Sequence, residues 1–389
     1  MIEKKKILIV SDCVCYPADE GNRRRIFNII NGMQTLGHTV DFLYFGPDRA
    51  ISEKQMKDFL GKDHYFFLRI PKEKNGFFYK HSNGYFFERF VPQNKVDVKY
   101  LPEVNRKVQA LLKKYKHDVL WLEYPYQSKV LEKTSDSVTK VIDTHDKFAY
   151  RNFKAFPYVK KVVDYSLTFL GERKALGRAN YVIAIQKEEK AYYTRLLMGK
   201  KTKVITIGDN HGLVKNGLSK NQDICFVGSG NRFNVDGINW FINSIFPVIL
   251  KKVRDCRLVI VGKICKEISV KPNKNIELLG IVDDIEEVYR NCRLVINPVR
   301  TGTGLNIKAI EAIAHCKPLV STVAGARGLK YEKPVVAVAE DEHSFANQVI
   351  EFLESDSLCE QHIKTCNHFI KSYNQNNLKA MNRVIYSEE

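Results

Sequence analysis

The chain alternates short apolar runs with longer segments of helical spacing almost from end to end. Runs of four to eight apolar residues bounded by turn formers are typical of buried strands, and apolar positions three and four apart are typical of helices. In the first half, strands are predicted at 6–11, 39–45, 65–70, 119–123, 140–144, 181–185 and 203–207. Helical spacing lies between them at 22–37, 103–116, 165–178 and 187–197.

The same pattern starts again after residue 221. Strands are predicted at 224–227, 257–261, 276–279, 293–297, 318–321 and 335–338, and helices near 236–251, 284–291, 305–315, 342–354 and 357–385. Regular alternation of strand and helix is typical of doubly wound, mainly parallel sheets. Residues 210–221 are rich in turn formers and lack apolar periodicity, which indicates a linker. We therefore predict two Rossmann-like α/β domains, 1–209 and 222–369, that face each other across a cleft.

Net charge differs between the two halves of the chain. The chain carries 62 Lys plus Arg against 44 Asp plus Glu, a net charge of +18. Residues 1–200 hold 37 basic and 23 acidic side chains, net +14, whereas residues 201–389 hold 25 and 21, net +4. Such an excess indicates an anionic partner: nucleic acid, a phospholipid surface or a phosphorylated substrate. The hydrophobic fraction of 44% excludes a disordered chain.

Cysteine usage and apolar run lengths predict a cytoplasmic protein. Nine cysteines are scattered without a disulfide-like framework. The apolar run 7–10 is too short for a signal peptide, and no apolar stretch approaches the ~18 residues of a membrane span. Metal-like spacing occurs at Cys359, His362, Cys366 and His368. Since His368 falls off the helical face that the other three share, a zinc site is not favoured.

Basic and aromatic residues interleave in the segment 54–95. The basic ones are Lys57, Lys62, Arg69, Lys72, Lys74, Lys80 and Arg89, and the aromatic ones are Phe66, Phe67, Phe77, Phe78, Tyr79, Phe86, Phe87 and Phe90. This mixture is typical of a surface that docks on anionic lipid or grips a polyanion. The alternative is that the aromatic residues are core and the lysines a solvated face. Nucleic acid is less favoured as a partner because no nucleic-acid motif accompanies the charge.

A glycine-rich loop at residues 302–304 is the strongest candidate for chemistry. It follows the predicted strand that ends at Asn297 and opens the helix that begins near Leu305. Free amides at a helix N-terminus, beside glycines that let oxygen atoms approach, form an anion site. Lys308 on the first turn can reach the same anion, and Glu311 one turn further can accept from ribose hydroxyls. The alternative is a tight turn with a solvated Lys308 and with Glu311 as a helix-dipole partner.

With this loop, the chain resembles the retaining nucleotide-sugar glycosyltransferases of family four, which have the GT-B fold. Further segments match that family in order and spacing, at 143–146, 179–186, 226–241, 258–262, 279–284 and 324–329. The resemblance covers nearly the whole chain. It implies an acceptor-binding first domain, a donor-binding second domain, and a C-terminal helix of about 370–389 that packs back on the first. It also implies transfer without a metal ion or other cofactor.

One position departs from the family pattern. The family usually has two glutamates separated by seven residues; Glu311 corresponds to the second, and Thr303 stands where the first would be. The loop instead follows a Gly-Thr-Gly-x3-Lys-x2-Glu variant. Of the arginine and lysine that grip the diphosphate in the family, only Arg232 is represented. The departure leaves two hypotheses open: an active transferase, or a catalytically degenerate GT-B protein that binds a nucleotide or a partner.

The resemblance also implies roles for single residues. Positive groups and oriented amides are expected to stabilise the departing nucleotide, and His145 to contact the donor sugar or the acceptor hydroxyl. The predicted catalytic residues are His145, Arg232 and Lys308. The predicted donor-binding residues are Gly21, Gly228, Ser229, Gly262, Gly302, Thr303, Gly304, Leu305 and Glu311. For His145 a turn histidine bonded to local backbone remains the alternative, and for Gly21 an ordinary helix start.

The prediction from sequence is thus a metal-independent glycosyltransferase of polysaccharide biosynthesis. Its donor is expected to be a sugar of UDP or GDP type, and its acceptor a glycan or a lipid-linked molecule. We expect it to be cytoplasmic and peripheral at the inner face of a membrane, with 54–95 as the contacting segment.

Overall fold

The chain divides into two compact units, each built on a parallel sheet. A computed structural model describes residues 3–18, 21–47, 53–71, 96–150, 166–268, 274–301, 307–329 and 335–388. The first unit comprises Met1–Asn210 with Asn376–Glu389, and the second comprises His211–Gln375. Both are α/β, as the alternation of strand and helix along the chain predicts.

The first unit contains a seven-stranded parallel sheet. Its strands are β1 (Lys6–Ser11), β2 (Thr39–Gly46), β3 (Tyr65–Arg69), β4 (Val119–Glu123), β5 (Thr139–Asp143), β6 (Tyr181–Ala184) and β7 (Lys203–Thr206). Their order in the sheet is β3-β2-β1-β4-β5-β6-β7. All five residues of β4 are buried, which is expected of a central strand covered on both faces.

Helices cover both faces of this sheet. They are α1 (Gly21–Thr35), α2 (Glu53–Leu60), α3 (Pro102–Tyr115), α4 (Phe169–Leu176) and α5 (Lys187–Leu196), with 3-10 turns at Lys62–His64 and Pro125–Lys133. Because successive strand residues point to opposite faces, Ile7 packs into the core on the α1 side, and Leu8 into the core that contains Val104 of α3.

The second unit contains a six-stranded parallel sheet. Its strands are β8 (Asp223–Val227), β9 (Arg257–Val261), β10 (Ile276–Gly280), β11 (Leu294–Asn297), β12 (Leu319–Thr322) and β13 (Ala337–Ala339), in the order β10-β9-β8-β11-β12-β13. Its helices are α6 (Arg232–Trp240), α7 (Phe246–Lys252), α8 (Ile285–Asn291), α9 (Ile307–Ala314) and α10 (Glu342–Glu354), with a 3-10 turn at Lys263–Lys266. The last helix, α11 (Asp356–Ile385), begins in this unit and ends in the first.

All thirteen predicted strands are present among the described residues, but some helix predictions were wrong in detail. The predicted helix 236–251 is interrupted by a π-helical turn, Phe241–Ile245. Pro247, two residues after the turn, lacks the N–H of a regular helical hydrogen bond, which accounts for the break. Helix α4 is shorter than predicted because the Thr168 side chain caps it at Gly171. Helix α2 and the turn at Pro125–Lys133 were missed.

The described part of the segment 54–95 is mostly packed into the first unit. Phe66 lies 5.4 Å from the Tyr115 ring, and Phe67 stacks on Tyr44 at 5.7 Å. Residues 72–95 lie outside the described residues. Within the part of the chain that the structure describes, no helix is both long enough and apolar enough to cross a membrane.

Strand order reverses at one place in each sheet. In the first unit this place lies between β1 and β4, which pair in parallel, and in the second between β8 and β11. Loops that leave the carboxyl ends of two such strands turn to opposite sides, and the crevice between them is where ligands bind in these folds. We call the two places the first and the second switch point.

Candidate functional site

At the second switch point, Asn231 and Asn234 hold the loop that follows β8. The Asn231 side chain caps α6 by accepting from the Asn234 backbone N–H at 2.9 Å. The Asn234 amide donates in turn to the Ser229 carbonyl oxygen at 2.9 Å and to the Ser229 hydroxyl at 3.2 Å. The loop is therefore held in one conformation from within.

Lys308 approaches this loop from the other side of the switch point. It lies in the first turn of α9, its Nζ donates to Asn234 Oδ1, and Nζ is 4.7 Å from the centre of the Phe226 ring. Burial lowers the pKa of Lys308 to about 7, while Glu311 acts in the opposite direction. Among the described residues, the only hydrogen-bond acceptor of this ammonium is a neutral amide. An anion bound here would therefore pair with an ammonium group whose charge the protein compensates only weakly.

Two glycines let the neighbouring elements approach closely. Gly262, after β9, has a φ of +108°, and a Cβ there would lie 2.3 Å from the Gly228 carbonyl oxygen. A Cβ on Gly237 of α6 would lie 2.6 Å from the Pro298 carbonyl oxygen in the loop after β11. Any side chain at either position would force the loops of the switch point apart.

The structure thus brings several predicted donor-binding residues of the second unit together. The loop after β8 contains Gly228 and Ser229. Gly262 and Lys308 lie beside it. Arg232, the first residue of α6, is exposed at the end of the same loop, and Glu311 is buried on α9. The predicted residues Gly302, Thr303, Gly304 and Leu305 lie outside the described residues.

A third cation of this region is already compensated. The Arg300 guanidinium makes bonds of 2.8–3.1 Å to both carboxylate oxygens of Asp236 and lies 5.5 Å from the Trp240 ring centre. Since its charge is paired, Arg300 is a weaker candidate for an anion than Lys308.

At the first switch point, charges are paired internally. Arg25 of α1 is 1% exposed, and its Nε and Nη2 donate to the two oxygens of Asp143 at 2.9 and 2.8 Å. The same guanidinium also donates to the carbonyl oxygens of Ile207 and Gly208. Both charges of this pair are satisfied within the fold.

His145 follows β5 and is held by two neighbours. Its φ is +57°, its Nε2 donates to the Glu123 carboxylate, and its ring stacks on Tyr124 with centroids 4.2 Å apart. Glu123 ends β4 and is 5% exposed; burial raises the pKa of this carboxyl, while the bond from His145 lowers it. Among the described residues, His145 Nδ1 makes no recorded hydrogen bond. It is therefore the ring atom that can meet a ligand.

The stack continues beyond Tyr124. The Tyr126 ring lies 5.1 Å from that of Tyr124 and nearly parallel to it, and Lys99 Nζ lies 4.8 Å from the Tyr126 ring centre. On the other side, Asn22 hydrogen-bonds the Tyr124 side chain. This places the start of α1, where Gly21 lies, beside the tyrosine that holds His145.

Neither candidate metal cluster fits a metal ion. The ligand atoms of Glu123, Asp143 and His145 lie within 4.8 Å of one another, but Arg25 occupies both Asp143 oxygens and its charge opposes a cation. Within α11, Cys359 Sγ donates to the Phe352 carbonyl oxygen at 3.0 Å, and His362 Nε2 bonds the Val335 carbonyl oxygen at 2.8 Å. Cys359 and His362 therefore bond separate backbone groups in this structure.

Sequence reasoning missed three residues that shape these sites: Asn234, Glu123 and Arg25. The signals were present but weak. Glu123 is an acidic residue that ends a buried strand, and Arg25 shares a helical face with Ile29 and Met33 at a spacing of four. A buried charge in either place requires a partner, which only the fold identifies.

The two parallel α/β units have the GT-B fold, and the second unit contains a segment that is similar to a glycosyltransferase family. Residues 221–355, which make up most of the second unit, match the family described as "Glycosyl transferases group 1". The chain is similar, at 24% identity over 385 residues, to an "uncharacterized 44.6 kDa protein in cps region" of Klebsiella pneumoniae. That match covers 90% of this chain and 92% of the Klebsiella protein.

Three solved structures share the fold. TarM of S. aureus aligns with a TM-score of 0.69 at 13% identity, over 99% of both chains. The pneumococcal O-GlcNAc transferase GtfA, solved with UDP and GlcNAc, aligns with a TM-score of 0.69 at 9% identity, again over 99% of both. HepE of Anabaena, solved with UDP-glucose, aligns with a TM-score of 0.61 at 14% identity over 98% of both.

Proposed function

We propose that this chain transfers a sugar from a nucleoside-diphosphate sugar to a glycan or lipid-linked acceptor, with retention of anomeric configuration. The single observation that carries the proposal is Lys308, a cation at the second switch point whose described hydrogen-bond partner is the neutral side chain of Asn234. A diphosphate is the ligand chemistry that such a group, beside the start of a helix, recognises best.

The proposed chemistry depends on charge. When the nucleotide leaves, negative charge accumulates on its β-phosphate, so positive groups there lower the barrier. Lys308 and the exposed Arg232 are suited to this role, beside the loop at Ser229. With protein cations facing the diphosphate, the proposed transfer needs no metal ion. UDP is the proposed nucleotide, supported by the UDP and UDP-glucose complexes of GtfA and HepE.

His145 is the proposed contact to the transferred sugar or the acceptor hydroxyl. Its bond to Glu123 and its stacking on Tyr124 fix the ring, and Nδ1 is left for a ligand. No separate protein nucleophile is needed if the acceptor attacks from the side of the leaving group. A setting in polysaccharide biosynthesis is supported by the cps-region name of the Klebsiella relative.

Nucleotide release from a panel of UDP-, GDP- and ADP-sugars tests the proposal. We expect release with one donor in the wild type and a loss of about 100-fold or more in Lys308→Ala. Lys251→Ala, an exposed lysine at the far end of α7, is the matched control and should behave as wild type. Neither binding nor release with any donor would refute the proposal. Calorimetric binding without release would favour the degenerate, non-catalytic alternative.

A further inference from the structure

Within the described part of the first unit, large exposed apolar side chains occur in two neighbouring segments. Among the described residues of that unit, the exposed large hydrophobic side chains are Phe169, Leu170 and Met198, with 46%, 78% and 71% of their surface accessible. Two come from the start of α4 and one from the turn after α5. Contiguous exposed apolar groups on the surface of a folded domain usually mark an interaction surface.

Contacts join these two segments into one surface. The Arg173 guanidinium of α4 donates to the carbonyl oxygens of Leu196 and Met198, the latter at 2.7 Å. At the end of α4, the Lys200 side chain lies over Gly177, about 3.4 Å from the position of a Cβ. The turn after α5 is thus fastened along α4.

The same surface is strongly basic. Segments 169–176 and 195–203 together hold six basic residues and one acidic residue, Glu172. Glu172 is fully buried and accepts hydrogen bonds from the Phe148 N–H and the Tyr192 hydroxyl, so it does not offset the charge outside. Lys174, Lys200 and Lys201 are exposed. We define the apolar-basic patch as Phe169, Leu170, Met198, Lys174, Lys200 and Lys201.

The second unit provides a contrast. Its exposed apolar residues include Leu278, Leu279 and Ile281 at the edge strand β10, where the neighbouring charges are mostly acidic and the basic neighbour Arg257 is paired with Asp223. Apolar exposure and basic charge therefore coincide in the first unit and not at this edge. Charge complementarity therefore favours an anionic occupant for the apolar-basic patch and not for this edge.

We propose that the apolar-basic patch docks on the surface of an anionic lipid bilayer. Leu170 and Met198 would enter the boundary between headgroups and acyl chains, and the three lysines would face anionic headgroups. A nucleic acid would use the lysines but would leave the apolar side chains in water. Of the segment 54–95, Phe66 and Phe67 pack within the fold and residues 72–95 lie outside the described residues, so membrane contact by that segment stays a separate prediction.

Vesicle sedimentation tests the proposal without reference to catalysis. The full chain should bind vesicles that contain phosphatidylglycerol at least tenfold more tightly than vesicles of phosphatidylcholine alone, and added salt should weaken the binding. Leu170→Glu with Met198→Glu should lower the affinity at least tenfold, as should Lys200→Glu with Lys201→Glu. Ile281→Glu, a change at an equally exposed apolar residue of the second unit, should leave binding unchanged.

Three outcomes would overturn the proposal. One is no binding of the wild type to the anionic vesicles, and another is wild-type affinity in the Leu170→Glu, Met198→Glu variant. The third is binding to single-stranded RNA that the lysine changes abolish and the apolar changes spare, which would assign the patch to a polyanion. Thermal unfolding confirms that the variants fold, and since vesicle binding needs no donor, the result stands apart from the transferase assay.

Discussion

The two switch points have the same topology but differ in how their positive charges are compensated. At the first, the Arg25 guanidinium is matched by the Asp143 carboxylate, and His145 by Glu123, all within the fold. At the second, Lys308 bonds a neutral amide and Arg232 is exposed. Strand order marks both places as potential ligand sites, but only the second keeps positive charge available for an incoming anion.

This difference indicates a structural role for the charges at the first switch point and a ligand-binding role for those at the second. Internal pairs at the first switch point hold the fold and fix one imidazole, so changes there should act on stability or on the orientation of His145. The weakly compensated lysine at the second switch point should act on the binding of phosphate. Variants in the two places should therefore affect different measurements.

The largest expected effect is on stability at the first switch point. Arg25→Met leaves the Asp143 carboxylate buried without its partner, which should lower the free energy of unfolding by about 3–5 kcal/mol. The matched change Arg300→Met breaks an exposed pair with Asp236 and should cost less than about 1 kcal/mol. Urea unfolding measures both. Equal losses in the two variants would contradict the distinction between buried and exposed pairs.

The next effect is on the pH dependence of nucleotide binding. With the pKa of Lys308 lowered to about 7 by burial, the free protein loses this charge as the pH rises above 7, whereas bound diphosphate should hold the proton. Affinity for UDP should therefore fall by about tenfold or more between pH 7 and pH 9. Lys308→Arg keeps its charge throughout and should show a flat profile. Identical slopes in both proteins would exclude Lys308 as the titrating group.

A smaller effect is expected from Glu123→Gln. The amide fills the same space but no longer offers a charged acceptor to His145 Nε2, so the ring should be held less firmly. Turnover of the donor should fall by about tenfold, with UDP affinity unchanged because the change lies outside the second switch point. A drop in UDP affinity equal to the drop in turnover would argue against this division of roles.

The last prediction concerns Glu189, another buried carboxyl of the first unit, whose effect depends on pH. Burial raises the pKa of Glu189 to about 8, so the folded state binds a proton that the unfolded state releases above its ordinary pKa. Wild-type stability should therefore fall as the pH rises from about 4.5 to 8, and Glu189→Gln should remove that loss. We expect the melting temperature of the variant to equal that of wild type near pH 4.5 and to exceed it increasingly up to pH 8. A constant difference across this range would contradict the raised pKa.

Sequence periodicity predicted the two sheets because β-rich runs and helical spacing are local signals. It could not pair Lys308 with Asn234, which lie 74 residues apart on different helices, since such a contact exists only after the sheet has formed. Nor could periodicity identify which of three consecutive arginines, Arg23 to Arg25, is buried, because only the fold brings Asp143 to Arg25. Motif spacing located the candidate donor loop, and its internal support by Asn234 required the structure.

A crystal structure of the protein with UDP bound would show whether the second switch point holds the donor. We expect a diphosphate oxygen within about 3.2 Å of Lys308 Nζ, with Nζ turned from Asn234 Oδ1 toward the phosphate, and the loop at Gly228 and Ser229 beside it. A diphosphate bound elsewhere, with Lys308 still on Asn234, would contradict the assignment of the second switch point as the donor site.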